Sequence, residues 1–153
     1  MDFKNQSCQD NKFNQTIHTM NKTILLDANH TFIIEGKIFQ QMKQLLDKFD
    51  NKKIILTNAN DEERKKKGIT NMPYEVFSLN HNPNKTDPKY FLQMLNHFSL
   101  LPRDVVYFEH CARSVESAKL AGILAVYHYD ESKKDLASLE KFLISHLGPP
   151  ISK

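Results

Sequence analysis

The chain is poor in the residues that build several common kinds of site. It has two cysteines in 153 residues, Cys8 and Cys111. They stand far apart and neither belongs to a Cys-x-x-Cys pair, so no disulfide framework is expected and a reducing cytoplasm fits best. The four glycines form no glycine-rich run that could cradle a phosphate, which argues against nucleotide binding through such a loop. No apolar run approaches the ~18 residues that a membrane-spanning helix needs. The N-terminus carries no apolar core of the signal-peptide kind, so neither a membrane nor a secretory route is expected. Charge of one sign is scarce as well, with a formal net charge of +3. The one basic run, ERKKKG (Glu63 to Gly68), reads as a helix end. Its lysines suit the negative end of the helix dipole, and Gly68 supplies a left-handed cap. The run has no interleaved aromatics and there is no nucleic-acid-binding motif, so no nucleic-acid partner is expected.

What is present is ordinary globular material: 40% hydrophobic and 25% charged residues, in a length that suits one domain with a sizeable core. Residues 1–21 are polar, Asn/Gln-rich and without periodicity, and are expected to be a flexible tail. Residues 22–147 read as one domain without linker or repeat, and 148–153 as a C-terminal tail. Short β-rich runs appear at 23–26, 53–56, 75–79, 105–108 and 125–127. Between them, apolar residues recur at helical spacing: Ile38, Met42, Leu45, Leu46 and Phe49, then Phe91, Met94, Leu95 and Phe98 after an Asp87-Pro88 start. Val115, Ala118, Leu120 and Ala121 make a further helix ended by Gly122, and Leu136, Leu139, Phe142, Leu143 and Leu147 a last one. Strand and helix in alternation, with nearly continuous apolar strands, predict a mainly parallel sheet with helices on both faces, a three-layer α/β/α sandwich.

In such sheets ligands sit beyond the carboxyl ends of the strands. The polar residues found there are Asp27 after TILL, Thr57 and Asn58 after KIIL, and Glu109 and His110 after VVYF, with Lys85 in a loop just before a helix. Singly, each suits a turn. Together, two carboxylates, a hydroxyl and a lysine on one rim can hold a cation and an anion side by side.

These residues, in this order, resemble the haloacid dehalogenase superfamily, most of whose members are magnesium-dependent phosphohydrolases. LLDANHTF is similar to that family's first motif, IILTN to the second, NKTDPKYFLQML to the third and VVYFEHCARSVESAKLAGI to the fourth. The resemblance spans roughly Thr23 to His128, the third and fourth motifs being the most specific. It implies a Rossmann-like α/β fold and an aspartyl-phosphate formed on Asp27, which splits one difficult step into two. It further implies that Thr57, Asn58 and Lys85 hold the phosphoryl group. Asp27, the backbone carbonyl of Asn29 and Glu109 would hold Mg²⁺ through oxygen.

Two departures bear on activity. Where the family has its general acid/base carboxylate, this chain has Asn29, whose amide has no proton that titrates near neutral pH. Losing such help typically costs about 10²–10⁴ in rate. The family's acidic pair has become Glu109-His110, and histidine replaces the outer carboxylate only if the metal site changes with it. His30 is expected to be a polar loop residue and Cys111 a small helix-starting one. The gaps from Asp27 to Thr57 and from Thr57 to Lys85 leave no room for a separate cap domain. An open crevice would accept phosphate on a small molecule or a macromolecule, or be closed by a second subunit of a homo-oligomer. Two functions fit: a slow or specialised phosphohydrolase or phosphotransferase, and a catalytically impaired scaffold that binds a ligand or partner. A phospho-acceptor receiver fits less well, because its acidic pair precedes the acceptor strand.

Overall fold

The computed structural model describes residues 21–150. The expected N-terminal tail, apart from Asn21, and the last three residues of the expected C-terminal one lie outside the described residues. Five strands form one sheet in the order β5-β4-β1-β6-β7. They are β1 Thr23–Asp27, β4 Lys53–Thr57, β5 Glu75–Ser78, β6 Val105–Glu109 and β7 Val126–His128. Every neighbouring pair is parallel. All five strands read from the sequence are present; β5 ends one residue early, β7 is shifted by one to end at His128, and the three central strands run one residue further than the apolar pattern. Those three extra residues are Asp27, Thr57 and Glu109, so the polar groups close the strands rather than follow them.

Alternation along each strand divides the core. Ile24, Leu26, Ile55, Val106 and Phe108 face one layer, which they share with Met42, Leu45 and Leu46 of α1 (Gln40–Leu46) and Leu139, Leu143 and Leu147 of α5 (Leu136–Leu147). Leu25, Ile54, Leu56, Val105 and Tyr107 face the other, against Tyr90, Phe91, Met94 and Leu95 of α3 (Pro88–His97) and Ala118 of α4 (Ala112–Leu120). Side chains of successive strand residues point to opposite faces, so a continuous apolar strand is what two covered faces require. Each fully buried Leu, Ile or Phe contributes roughly 1.5–3 kcal/mol, and both layers are apolar almost throughout.

The helix starts follow the sequence. Asp87 caps α3 by accepting from the Lys89 N–H at 2.9 Å, with Pro88 in the first turn. Asn60 and Glu63 form a reciprocal capping box on α2 (Asp61–Lys66), which satisfies two of the amides left free at a helix start. The helix α1 is shorter than the apolar spacing suggests, because Ile38 belongs to a hairpin. That hairpin joins β2 (Ile33–Ile34) and β3 (Lys37–Ile38). Its two-residue turn, Glu35-Gly36, has positive φ at both positions, the geometry that matches the twist of the flanking strands. The Cα of Gly68, just beyond α2, lies so close to the hairpin tip that a Cβ there would stand 2.2 Å from the Gly36 carbonyl oxygen. Only glycine fits at that position, which also has φ +75.

Between β1 and β4 lie this hairpin and α1, and between β4 and β5 lies α2. No separate cap domain is found among the described residues. No described helix is long and apolar enough to cross a membrane.

Candidate active site

The central strand β1 is flanked by β4 on one side and β6 on the other. The chain builds outward through β4 and β5, then returns to the opposite side of β1 for β6. The strand order therefore reverses at β1 and β6, which opens a crevice at their carboxyl ends. Asp27 pairs in register beside Leu56, and Leu26 beside Phe108, so Asp27 and Glu109 end adjacent strands at the same level and Thr57 stands one residue further along β4. All three are buried, and so is Lys85, at 4% exposure.

A buried ammonium needs acceptors for its three hydrogens. Lys85 Nζ has three: Asp27 Oδ1 at 2.6 Å, Glu109 Oε1 at 2.7 Å and the Leu56 carbonyl oxygen at 3.3 Å. The loop that delivers it is itself fixed. Asn58 Oδ1 accepts from the Lys85 backbone N–H at 2.6 Å. The Tyr90 hydroxyl, one turn into α3, lies 3.0 and 3.1 Å from the carbonyl oxygens of Thr57 and Phe77.

The second oxygen of each carboxylate faces a different group. His110 Nδ1 hydrogen-bonds Asp27 Oδ2 and lies 3.3 Å from Glu109 Oε2. Thr31 Oγ1 donates to Asp27 Oδ2 at 3.0 Å, and the Cys111 N–H to Glu109 Oε2 at 3.3 Å. The Tyr107 hydroxyl donates to Glu109 Oε1 at 2.7 Å. Lys85 thus holds one side of the pair and His110 the other.

These contacts separate the two acids. Burial alone would raise the Asp27 carboxyl, but the Lys85 ammonium, with the Glu109 and His110 hydrogen bonds, more than offsets it. Asp27 is held well below the usual carboxylate range. Glu109 goes up, because burial and the Asp27 charge beside it outweigh Lys85. Asp27 is therefore the more acidic of the two. Burial opposes the Lys85 charge, yet the two carboxylates push its pKa above the ordinary lysine value. The hydrogen bonds to Asp27 and then Glu109 push the His110 imidazole up to about 10.

The remaining candidates fall around this core. Thr57 Oγ1 accepts from the Ala59 N–H at 3.2 Å, leaving its own hydrogen to donate. Asn58 uses its side-chain oxygen to hold the lysine loop. Asn29 is half-buried in the turn after β1, and its amide makes no hydrogen bond among the described residues. His30 is an exposed loop residue, 3.0 Å from the Glu131 carboxylate, but its ring also lies 5.1 Å from that of His110. Cys111 is the N-cap of α4, the helix-starting place its size suggested. Sequence reasoning missed the His110 contact with Asp27 and the Tyr107 contact with Glu109. The second had a signal: Tyr107 stands two residues before Glu109 on β6, hence on the same face.

Ligand atoms of Asp27, Glu109 and His110 all lie within 4.8 Å of one another. Buried carboxylates in this arrangement can hold a metal ion.

No protein-family model matches the sequence, and no curated protein matches it. Solved structures match its fold. One is a "putative beta-phosphoglucomutase" from Thermotoga maritima, 14% identical, covering 70% of this chain and 84% of that one with a TM-score of 0.50. An uncharacterized protein from Corynebacterium glutamicum ATCC 13032 is 16% identical over 80% of this chain and 94% of that one, with a TM-score of 0.56. The core domain of a "putative phosphoglycolate phosphatase" from Streptococcus pneumoniae TIGR4 is 14% identical over 79% of this chain and 96% of that one, with a TM-score of 0.52. At such identities the likeness is one of architecture. The described chain has the haloacid dehalogenase-like fold, with no separate cap domain.

Proposed function

We propose that the chain is a phosphohydrolase acting on phosphate monoesters through an aspartyl-phosphate on Asp27. The observation that carries this reading is the Lys85 ammonium bridging two buried carboxylates at the ends of adjacent strands. A scaffold has no structural use for that arrangement: replacing a buried ion cluster by packed apolar residues is often neutral or stabilising. Asp27, kept ionised by its neighbours, attacks phosphorus, and the bond from phosphorus to the ester oxygen breaks. The Thr57 hydroxyl donates to a phosphoryl oxygen, and Lys85 offsets the charge that nucleophile and phosphoryl group share. Water then cleaves the aspartyl-phosphate, releasing phosphate and returning Asp27.

Asp27 and Glu109 would hold a divalent cation, with the Asn29 backbone carbonyl as the further oxygen donor that the family resemblance implies. Two hard carboxylates alone would suit Mg²⁺, which supplies charge stabilisation to the phosphoryl oxygens. The amide of Asn29 has no proton to give the leaving oxygen. Aryl and acyl phosphates, whose leaving groups need little protonation, are therefore the favoured substrates, and the enzyme is slow or specialised. The open crevice suits a phosphate carried on a large molecule, or closure by a second subunit.

Asn29 also favours a second reading, a binding scaffold that keeps the site without turnover. A panel of aryl, acyl and alkyl phosphates, assayed with divalent metal and with Asp27→Asn protein as the blank, separates the two. Turnover of aryl and acyl esters above the blank is the expected result. A folded wild-type protein that matches its blank on every ester is a scaffold.

A further inference from the structure

Beside the carboxylates of the proposed cation site stands a further donor of a different kind. We propose that His110 is a direct metal ligand, and that the site takes a first-row transition-metal dication such as Mn²⁺ or Zn²⁺ in preference to Mg²⁺. This rests on the reading above that the Asp27–Glu109 pair holds a cation.

The geometry separates two sides of the carboxylate pair. Lys85 takes Oδ1 of Asp27 and Oε1 of Glu109. His110 Nδ1 stands against the other two oxygens, bonded to Asp27 Oδ2 and 3.3 Å from Glu109 Oε2. A cation placed among Oδ2, Oε2 and Nδ1 releases the Nδ1 proton to solvent and leaves the ammonium where it is. Ligand atoms about 2.1 Å from one ion lie roughly 3–3.5 Å apart, and the His110–Glu109 separation already falls in that range.

The two carboxylates and the His110 backbone are also held by neighbouring groups, and partners of this kind orient metal ligands. Thr31 bonds Asp27 Oδ2, the Cys111 N–H bonds Glu109 Oε2, and Tyr107 fixes Glu109 through its other oxygen. The His110 backbone is fixed as well, its carbonyl oxygen lying 2.9 Å from His128 Nε2. His128 ends β7, in register beside Glu109.

The chemistry of the donor set then decides the ion. Mg²⁺ prefers oxygen ligands in near-ideal octahedral geometry and gives up water reluctantly. Imidazole nitrogen suits zinc, iron, cobalt, nickel and copper, while carboxylate oxygen serves manganese as well. One nitrogen beside two carboxylate oxygens matches the transition ions better than Mg²⁺.

The test uses the full chain, freed of metal by a chelator and without substrate. Calorimetric titration with Zn²⁺, Mn²⁺ and Mg²⁺ ranks the ions, and nitrogen modulation in the spin-echo spectrum of bound Mn²⁺ reports a bonded imidazole directly. Zn²⁺ and Mn²⁺ should bind more tightly than Mg²⁺, and the nitrogen signal should be present in wild type and absent from His110→Ala. That variant should lose at least the about 10- to 100-fold in Zn²⁺ affinity that loss of an outer-shell partner costs. His110→Asp should bring Zn²⁺ and Mg²⁺ affinities together. Should His110→Ala fail to fold, the wild-type spin-echo signal, with Asp27→Asn as its control, still decides. Equal or tighter Mg²⁺ binding with no nitrogen signal overturns the inference and leaves the cation site standing. No binding of any divalent ion overturns both.

Discussion

Replacing Lys85 by methionine keeps the apolar stem and removes the buried charge that bridges the two carboxylates from one side. The residue is 4% exposed, so solvent screens little of the loss. Removing one partner of a buried ion pair typically costs about 3–5 kcal/mol, because the other charge is left uncompensated. Two features place this case at the lower end. His110 stays on Asp27, and Glu109, whose carboxyl is already pushed up, can take a proton. We expect a loss of about 3 kcal/mol at neutral pH, a large part of the roughly 5–15 kcal/mol that holds a domain together. The melting temperature should fall by on the order of 10 °C.

The pH dependence carries the sign. In wild type the Asp27 pKa lies below its ordinary value of 3.8, so its stabilising contribution is present above that value and lost as pH falls through the folded one. In the variant, Glu109, already raised by burial and the Asp27 charge, loses the Lys85 charge that opposed the rise, and Asp27 loses the largest influence that lowered it. The variant's penalty is then present at neutral pH and relieved as pH falls through the raised values. Urea denaturation of both proteins at about pH 7 and about pH 4 reads this as a gap that narrows on acidification. Equal stability at neutral pH, or a gap that stays constant, refutes the buried ion cluster.

Three other outcomes follow from the same contacts. Asn29→Asp restores a titrating carboxyl at almost unchanged volume and should raise alkyl-phosphate hydrolysis by about 10²-fold or more; steady-state kinetics on one alkyl ester checks it, and no gain from a folded variant contradicts it. Tyr107→Phe removes a buried hydroxyl that donates to Glu109 at 2.7 Å and should cost about 1.5 kcal/mol or more in chemical denaturation; a neutral result would show that the hydroxyl does not support the carboxylate. The His110 pKa is raised from 6.5 to about 10, so its contribution to metal-free stability is complete below 6.5 and lost as pH rises through about 10. The stability difference between wild type and His110→Gln should therefore shrink on the alkaline side, and a difference independent of pH contradicts the His110–Asp27 contact.

The sheet, its layers and four members of the site were legible in the sequence because they rest on one-dimensional patterns. A continuous apolar run needs two covered faces, and the residue that ends it lies at a strand terminus. Asp27, Thr57 and Glu109 are placed by that alone, and Lys85 by the helix start at Asp87-Pro88. The rest depends on distances between residues far apart in the chain. Nothing in the sequence near His110 says that its ring nitrogen meets Asp27, 83 positions away, and the neighbouring ring of His30 was read only as loop. Asn58 was expected at the phosphate, and the hydrogen bond from the Lys85 backbone N–H to its side-chain oxygen was not foreseen. The hairpin escaped notice because each arm has two residues, too few for alternation to register. Its Glu35-Gly36 turn lacks the Asn-Gly or Asp-Gly that marks such turns most strongly.

The account turns on Asp27 as a nucleophile, and a covalent adduct tests that most directly. The metal-free protein is loaded with Mn²⁺ or Mg²⁺, mixed with an acyl phosphate, quenched in acid and analysed by mass spectrometry. The peptide containing Asp27 should gain the mass of one phosphoryl group on that residue, and hydroxylamine should remove it, as it does acyl phosphates. Asp27→Asn protein should show no adduct. Turnover of the acyl phosphate by wild type with no adduct on Asp27, or with the same adduct in Asp27→Asn, contradicts the account.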